Sequence, residues 1–200
     1  MRFTRFAVAV SACLALALTA QGQEKKMEKK GESKAPAKME MPKPGPEVKK
    51  LSYFVGTWKS EGDMKENPWG MPAGKFTGTD KCEWFTGGYQ VVCHSTGKGP
   101  MGNMHALGII AYNNEDKAYS YYGIDNMGFA EGSKGKVEGD TWTYTAESKM
   151  GGKTYHGRYT INVSSPDSYT FKYESSEDGT KWSTVMEGKA TKAGAAEKKS

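Results

Sequence analysis

The chain has 200 residues, 26% of them charged and 12% aromatic, and a formal net charge of +5. That length suggests one domain with extensions. The charge is unevenly placed: residues 23–50 hold nine Lys against five Glu, whereas Leu51–Gly188 hold 13 basic against 17 acidic residues. A nucleic-acid binder needs a clustered basic face on its domain, so that class is set aside.

Residues 1–22 read as a secretory signal: Arg2 and Arg5, an apolar run from Phe6 to Leu18, then the small-x-small site Ala20-Gln21-Gly22. The run falls short of the ~20 apolar residues a bilayer span requires, so no transmembrane segment is expected. Val10-Ser11-Ala12-Cys13 also resembles a lipoprotein processing box. The apolar run continues past Cys13, however, so simple cleavage and a periplasmic or secreted location are preferred. Export makes a disulfide chemically permissible. Residues 23–47 mix Lys, Glu, Pro and Met without an aromatic residue. They cannot bury enough apolar surface to offset ordering entropy, which predicts a disordered linker. Residues 189–200 have the same character, leaving residues 48–188 as the domain.

The domain opens with Val48, Leu51, Phe54 and Val55, spaced for one or two helical turns. Strand-like runs then follow near Thr57–Lys65, Lys75–Phe85, Tyr89–Thr96, Met104–Tyr112, Ala118–Ile124, Phe129–Val137, Thr141–Ser148, Thr154–Val163, Tyr169–Ser175 and Trp182–Gly188. Their connectors are turn sequences such as Asn113-Asn-Glu-Asp, Ser165-Pro-Asp-Ser and Glu177-Asp-Gly-Thr. Ten short strands with hairpin-length links predict an all-β fold, an up-and-down antiparallel barrel that leaves no free edge. A sandwich is the second choice. Leu107-Gly-Ile-Ile-Ala is apolar on both faces, so a cover over its outer side is expected.

Gly87-Gly88 predicts a tight hairpin turn, because paired glycines supply positive φ. Counting outward sets Thr86 opposite Tyr89, Trp84 opposite Val91 and Cys82 opposite Cys93. The two cysteines are then a structural disulfide, a free pair or a redox couple. Opposed strand positions suit a bridge, and the Cys-x-x-Cys spacing of redox catalysis is missing, so the disulfide is favoured.

Gly56-Thr57-Trp58 resembles the Gly-x-Trp opening of lipocalin-like barrels. Across residues 51–190 the chain resembles the bacterial family catalogued as domain of unknown function 1579. The likeness rests on Leu51…Val55-Gly56-Thr57-Trp58, Gly87-Gly88, Gly108-Ile-Ile-Ala-Tyr112-Asn, Asp125-Asn126-Met127-Gly128 and Asp178-Gly179-Thr180-Lys181. It implies a calycin-like barrel, a class that often holds small apolar ligands, and it carries no catalytic residues over. This chain has Tyr89 where such proteins often have Arg after the glycine pair.

Several motifs fail on context. Gly97-Lys-Gly99-Pro-Met-Gly102 has the letters of a dinucleotide fingerprint but joins two antiparallel strands and opens no helix. His94, Met101, Met104 and His105 form a group of soft and borderline ligands suited to copper(I); the competing reading is apolar filler at a barrel mouth with ordinary strand histidines. Arg158 has outward parity. Asp80 shares a strand face with Phe76, Cys82 and Trp84, which makes it an interior carboxylate without an assignable partner; Asp125-Asn126 reads as a turn.

These features predict an exported noncatalytic barrel that binds a small apolar or amphipathic molecule, with Trp58, Trp84, Tyr121 and Trp142 as candidate walls. No cofactor is expected. The alternatives are a copper-handling protein built on the Met/His group, and an enzyme using an interior carboxylate or haem. The oligomeric state is open.

Overall fold

The computed structural model describes residues 43–67 and 69–194. A helical turn α1 (Pro46–Lys50) runs into a 3-10 turn (Leu51–Phe54). Ten strands follow: β1 (Gly56–Met64), β2 (Gly74–Trp84), β3 (Gln90–Gly99), β4 (Gly102–Asn113), β5 (Ala118–Asp125), β6 (Ala130–Glu138), β7 (Thr141–Met150), β8 (Lys153–Ser165), β9 (Ser168–Ser176) and β10 (Ser183–Lys192). Each pairs antiparallel with the next, and β1 pairs with β10 to close an up-and-down barrel.

The period-2 pattern of the sequence becomes the two faces of the wall. Trp58, Cys82, Val91, Cys93, Ile110, Tyr119, Trp142, Tyr144, Ile161 and Phe171 turn inward and are buried. Lys59, Glu61, Lys81, Lys134, Lys136 and Lys189 occupy exposed alternate positions. No helix among the described residues is long and apolar enough to cross a membrane.

One end of the barrel is sealed by the helical entry. Val48, Leu51 and Phe54 are buried there. The Phe54 ring meets Trp142 at 5.0 Å, Tyr119 meets Trp142 at 4.7 Å, and Trp58 meets Tyr169 at 5.0 Å. Polar tips of these rings find partners. The Trp58 indole N–H donates to the Phe54 carbonyl at 2.9 Å. The Tyr53 hydroxyl donates to the carbonyls of Ser165 and Ser168, and Tyr119 donates to the Glu47 carboxylate at 2.6 Å. Aromatic packing with these donors paired makes this the rigid end of the molecule.

Several sequence expectations shift in detail. The hairpin after β2 is a four-residue loop rather than a two-residue turn: Phe85 N–H donates to the Gln90 carbonyl and Gly88 N–H to the Phe85 carbonyl. Gly87 and Gly88 do take positive φ, 99° and 74°. Cys82 still faces Cys93, and Trp84 faces Val91. β10 runs to Lys192, past the expected boundary at Gly188, because Lys189–Lys192 pair with β1. α1 begins at Pro46, inside the stretch expected to be a linker. The outer side of the Leu107–Ala111 run carries no cover among the described residues: Ile109 and its β5 partner Tyr122 are 36% and 51% exposed. The signal segment 1–22, Cys13, most of the 23–47 stretch and residues 195–200 lie outside the described residues.

Candidate ligand site in the barrel interior

Above the aromatic floor, the inner wall is built from glycines on which tyrosine rings lie. A Cβ on Gly108 or Gly123 would stand 2.8 Å from the Tyr121 side chain, and one on Gly135 would stand 2.5 Å from the Tyr144 ring. Gly157 likewise supports the Tyr173 hydroxyl end at 2.8 Å. Removing Cβ atoms from one strand lets a ring from another lie flat against the backbone. Phe171 stacks beside Tyr159 with centroids 6.0 Å apart. Tyr121 faces inward yet stays 37% exposed, so solvent reaches the interior along it.

Two carboxylates share this wall. Asp80, Ser95, Ala106 and Asp125 form one cross-strand row from β2 to β5; the next row runs Cys82, Cys93, Gly108, Gly123 and Glu131, from β2 to β6. The Ser95 hydroxyl donates to Asp80. Burial pushes the Asp80 carboxyl up from the ordinary carboxylate range, with the Ser95 bond opposing the shift. Burial raises Glu131 as well, and among the described residues it has no ion-pair partner. Asp125 is occupied by its turn, accepting from the backbone N–H groups of Met127 and Phe129 at 2.8 and 3.0 Å. Tyr121 is pushed up by burial first and then by the charges of Asp80, Glu131 and Asp125. Among the described residues, the buried Tyr144 hydroxyl has no hydrogen-bond partner, and neither does the Ser175 hydroxyl.

The wall has a seam. β6 and β7 pair only over Lys134–Glu138 and Thr141–Thr145, while β7 and β8 pair over all ten residues of β7. Beyond Lys134 and Thr145 the two strands part. A cleft of about 780 Å3 lies there, lined by Tyr122, Lys134, Glu147, His156 and Trp182 of the outer side and by Tyr121, Ser133 and Ala146 of inward parity. Beside it Trp69, from the β1–β2 connection, packs edge-on against Tyr155 at 5.6 Å and lies 6.5 Å from Tyr173, its indole N–H buried. A second groove of about 710 Å3 lies on the outer wall of β10 to β4, between threonines and lysines such as Thr77, Thr79, Lys59 and Lys98.

The sequence-predicted residues separate by height. Tyr121 lines the seam from its inner side. Trp58 and Trp142, 1% and 4% exposed, belong to the packed floor, and Trp84 sits half-buried against the same core. Cys82 and Cys93 form a disulfide across the β2–β3 ladder, their Cα atoms 4.0 Å apart. His94 faces outward opposite Leu107, and His105 faces outward opposite Thr96; Met104 takes inward parity opposite Gly97, and Met101 sits in the β3–β4 turn. Among the described residues, no three His, Cys, Asp or Glu side chains gather as a metal site, and no histidine occupies an inward position. Arg158 points outward as expected, in an ion pair with Glu174 at 2.9 Å and 4.1 Å over the Trp182 ring. Glu131 and Tyr144 were not singled out from sequence. Strand parity was the available signal, since Glu131, Ser133, Gly135 and Val137 alternate with Gly132, Lys134 and Lys136.

Fold and site together define a closed ten-strand barrel with a sealed floor and an aromatic, carboxylate-bearing interior. The chain belongs to the family described as protein of unknown function (DUF1579), whose pattern it matches over residues 43–192. No curated protein is significantly similar to it. Among solved structures it is similar to Rv2717c from M. tuberculosis, at 12% identity and a TM-score of 0.53, covering 74% of this chain and 98% of that one. It is also similar to a de novo designed fluorescence-activating β-barrel, at 15% identity, a TM-score of 0.41 and coverage of 71% and 95%. The likeness to Rv2717c concerns the fold alone.

Proposed function

We propose that this protein is an exported, noncatalytic binding protein whose barrel interior holds a small apolar or amphipathic molecule. The carrying observation is Tyr121, an inward tyrosine that remains 37% exposed in a barrel whose opposite end is packed shut. An aromatic wall that solvent reaches, with a few convergent polar groups, is the usual chemistry of a small-molecule site. Tyr121, Tyr159 and Tyr173 supply the walls, while Trp58, Trp84 and Trp142 form the floor beneath. The expected route in is the β6–β7 cleft.

The Cys82–Cys93 disulfide is compatible with an oxidising compartment, which supports export. Residues 1–22 would then be removed, and the mature N-terminus should begin after Gly22. Native mass spectrometry of protein isolated from its own cell envelope tests the binding reading. A stoichiometric small-molecule adduct is expected. Ligand-free protein that also fails to take up an apolar dye such as Nile red would overturn it.

A further inference from the structure

We propose that the interior site selects a positively charged head group, a protonated alkylamine, by offering it Asp80 and Glu131 inside a tyrosine-walled chamber. This rests on the reading of the interior as a ligand site and names the chemistry of its occupant.

The charge inventory of the inner wall is one-sided. Asp80 has a single hydroxyl partner and Glu131 has no ion pair among the described residues. The strand lysines of inward parity sit elsewhere: Lys192 lies 5.2 Å over the Trp58 ring at the floor, and Lys153 is bound to Glu177 at the rim. Half-buried carboxylates without a countercharge carry a desolvation cost in the empty protein. A bound cation supplies the missing charge. Tyrosine faces add attraction for the same ligand, since the ring quadrupole presents its negative face to an ammonium.

An independent observation points the same way. The Tyr144 hydroxyl is buried, its residue only 6% exposed, and has no partner, while its ring stands 6.4 Å from that of Tyr121. A buried hydroxyl without a partner is uncommon enough to require an explanation. A bound amine would supply a partner for this hydroxyl. A carboxylate ligand would meet like charge from Asp80 and Glu131, and an alcohol would leave their charges unbalanced.

Around Asp80 stand Ser95 on β3, which donates to it, Asp125 in the same cross-strand row on β5, and the tyrosines Tyr121, Tyr159 and Tyr169, whose hydroxyls its charge raises. None of them carries positive charge. Because burial raises the Asp80 carboxyl, amine affinity should fall as pH drops through that raised value and Asp80 takes up a proton.

The test is calorimetric titration of the full chain with decylammonium, 1-decanol and decanoate below their aggregation concentrations. Decylammonium should bind at least about tenfold more tightly than decanol, with decanoate weakest. Asp80→Asn and Glu131→Gln should each weaken decylammonium about tenfold while the far-ultraviolet dichroism keeps the wild-type shape. In the wild type, decylammonium affinity should drop on acidification and decanol affinity should not. Equal or tighter decanol binding overturns the head-group assignment and leaves interior binding intact. Decylammonium binding indifferent to both substitutions also overturns it, since adsorption on the acidic exterior would then account for the signal. Failure of all three probes to bind defeats both this inference and the binding function beneath it.

Discussion

The Tyr121 ring lies over Gly108 of the neighbouring strand so closely that a methyl group there would stand 2.8 Å from the ring. Gly108→Ala must therefore push Tyr121 into the space a ligand would occupy. The expected result is a loss of about 1–3 kcal/mol in stability from overpacking, together with loss of dye uptake. Urea denaturation and Nile red titration measure the two effects separately. A variant that keeps wild-type dye binding would show that Tyr121 does not wall the site.

Asp80 sets a trade between stability and function. Its folded-state carboxyl is raised by burial, with Ser95 opposing, so the folded protein binds this proton more tightly than the unfolded chain does. The penalty is absent below the unfolded value and grows as pH rises through the raised folded value. Asp80→Asn removes the ionisation and keeps an acceptor for the Ser95 hydroxyl. It should stabilise the protein at pH 7 and have little effect at pH 3, by urea midpoint at each pH.

Glu174 works in the opposite sense. Burial would raise its carboxyl, but hydrogen bonds and charge from Lys172 and Arg158 outweigh that and hold it below the usual range. Its contribution is present above the unfolded value and lost as pH falls through the depressed one. Arg158→Ala should cost about 1–3 kcal/mol, since it removes a charged hydrogen bond and leaves Glu174 with Lys172 alone. It should also flatten the acid limb of the stability profile. Denaturation from pH 7 to pH 3 checks both.

Trp58 closes the floor, packed against Tyr53 and Tyr169 with its N–H on the Phe54 carbonyl. Trp58→Ala should cost about 3–5 kcal/mol, the range for removing a buried large aromatic side chain. Tyr121→Phe should stay within about 1 kcal/mol, because it keeps the ring and its packing at a 37% exposed position. Thermal melts of the two variants should therefore separate floor from chamber.

The disulfide closes a loop with a sequence separation of 11, and both sulfur-bearing residues are buried. The chain-entropy model assigns such a loop about 2–3 kcal/mol. Cys82→Ala with Cys93→Ala should lose about that much while keeping the barrel, because the β2–β3 ladder around the pair has eight registered partners. Denaturation with and without reductant gives the difference.

Strand number, closure and the cysteine pairing were legible in the chain because alternation and turn residues act locally. The register around Gly87-Gly88 survived a wrong loop length, since two-residue and four-residue loops centred on the same glycines set the same partners opposite. Height within the barrel was not legible. Parity tells whether a side chain faces in, so Trp58, Tyr121 and Trp142 looked alike. Only the helical entry, packing Phe54 onto Trp142, makes one end a floor. Parity also separates the neighbours Met104 and His105 onto opposite faces of β4. The Asp80–Glu131 relationship spans β2 to β6 and depends on register accumulated over four hairpins, which no local pattern encodes.

A closed barrel distributes strain around its circumference, yet five paired residues hold β6 to β7 where ten hold β7 to β8. Opening should therefore begin there, like a zip with its slider at Lys134 and Thr145. Amide protons of Gly132, Ser133 and Ala146 should exchange orders of magnitude faster than those of Trp58 and Val91, without global unfolding. A ligand held by Glu131 of β6 and by the Tyr144 hydroxyl of β7 would act as a clasp across that opening. Its arrival should be visible first as slowed exchange along the seam.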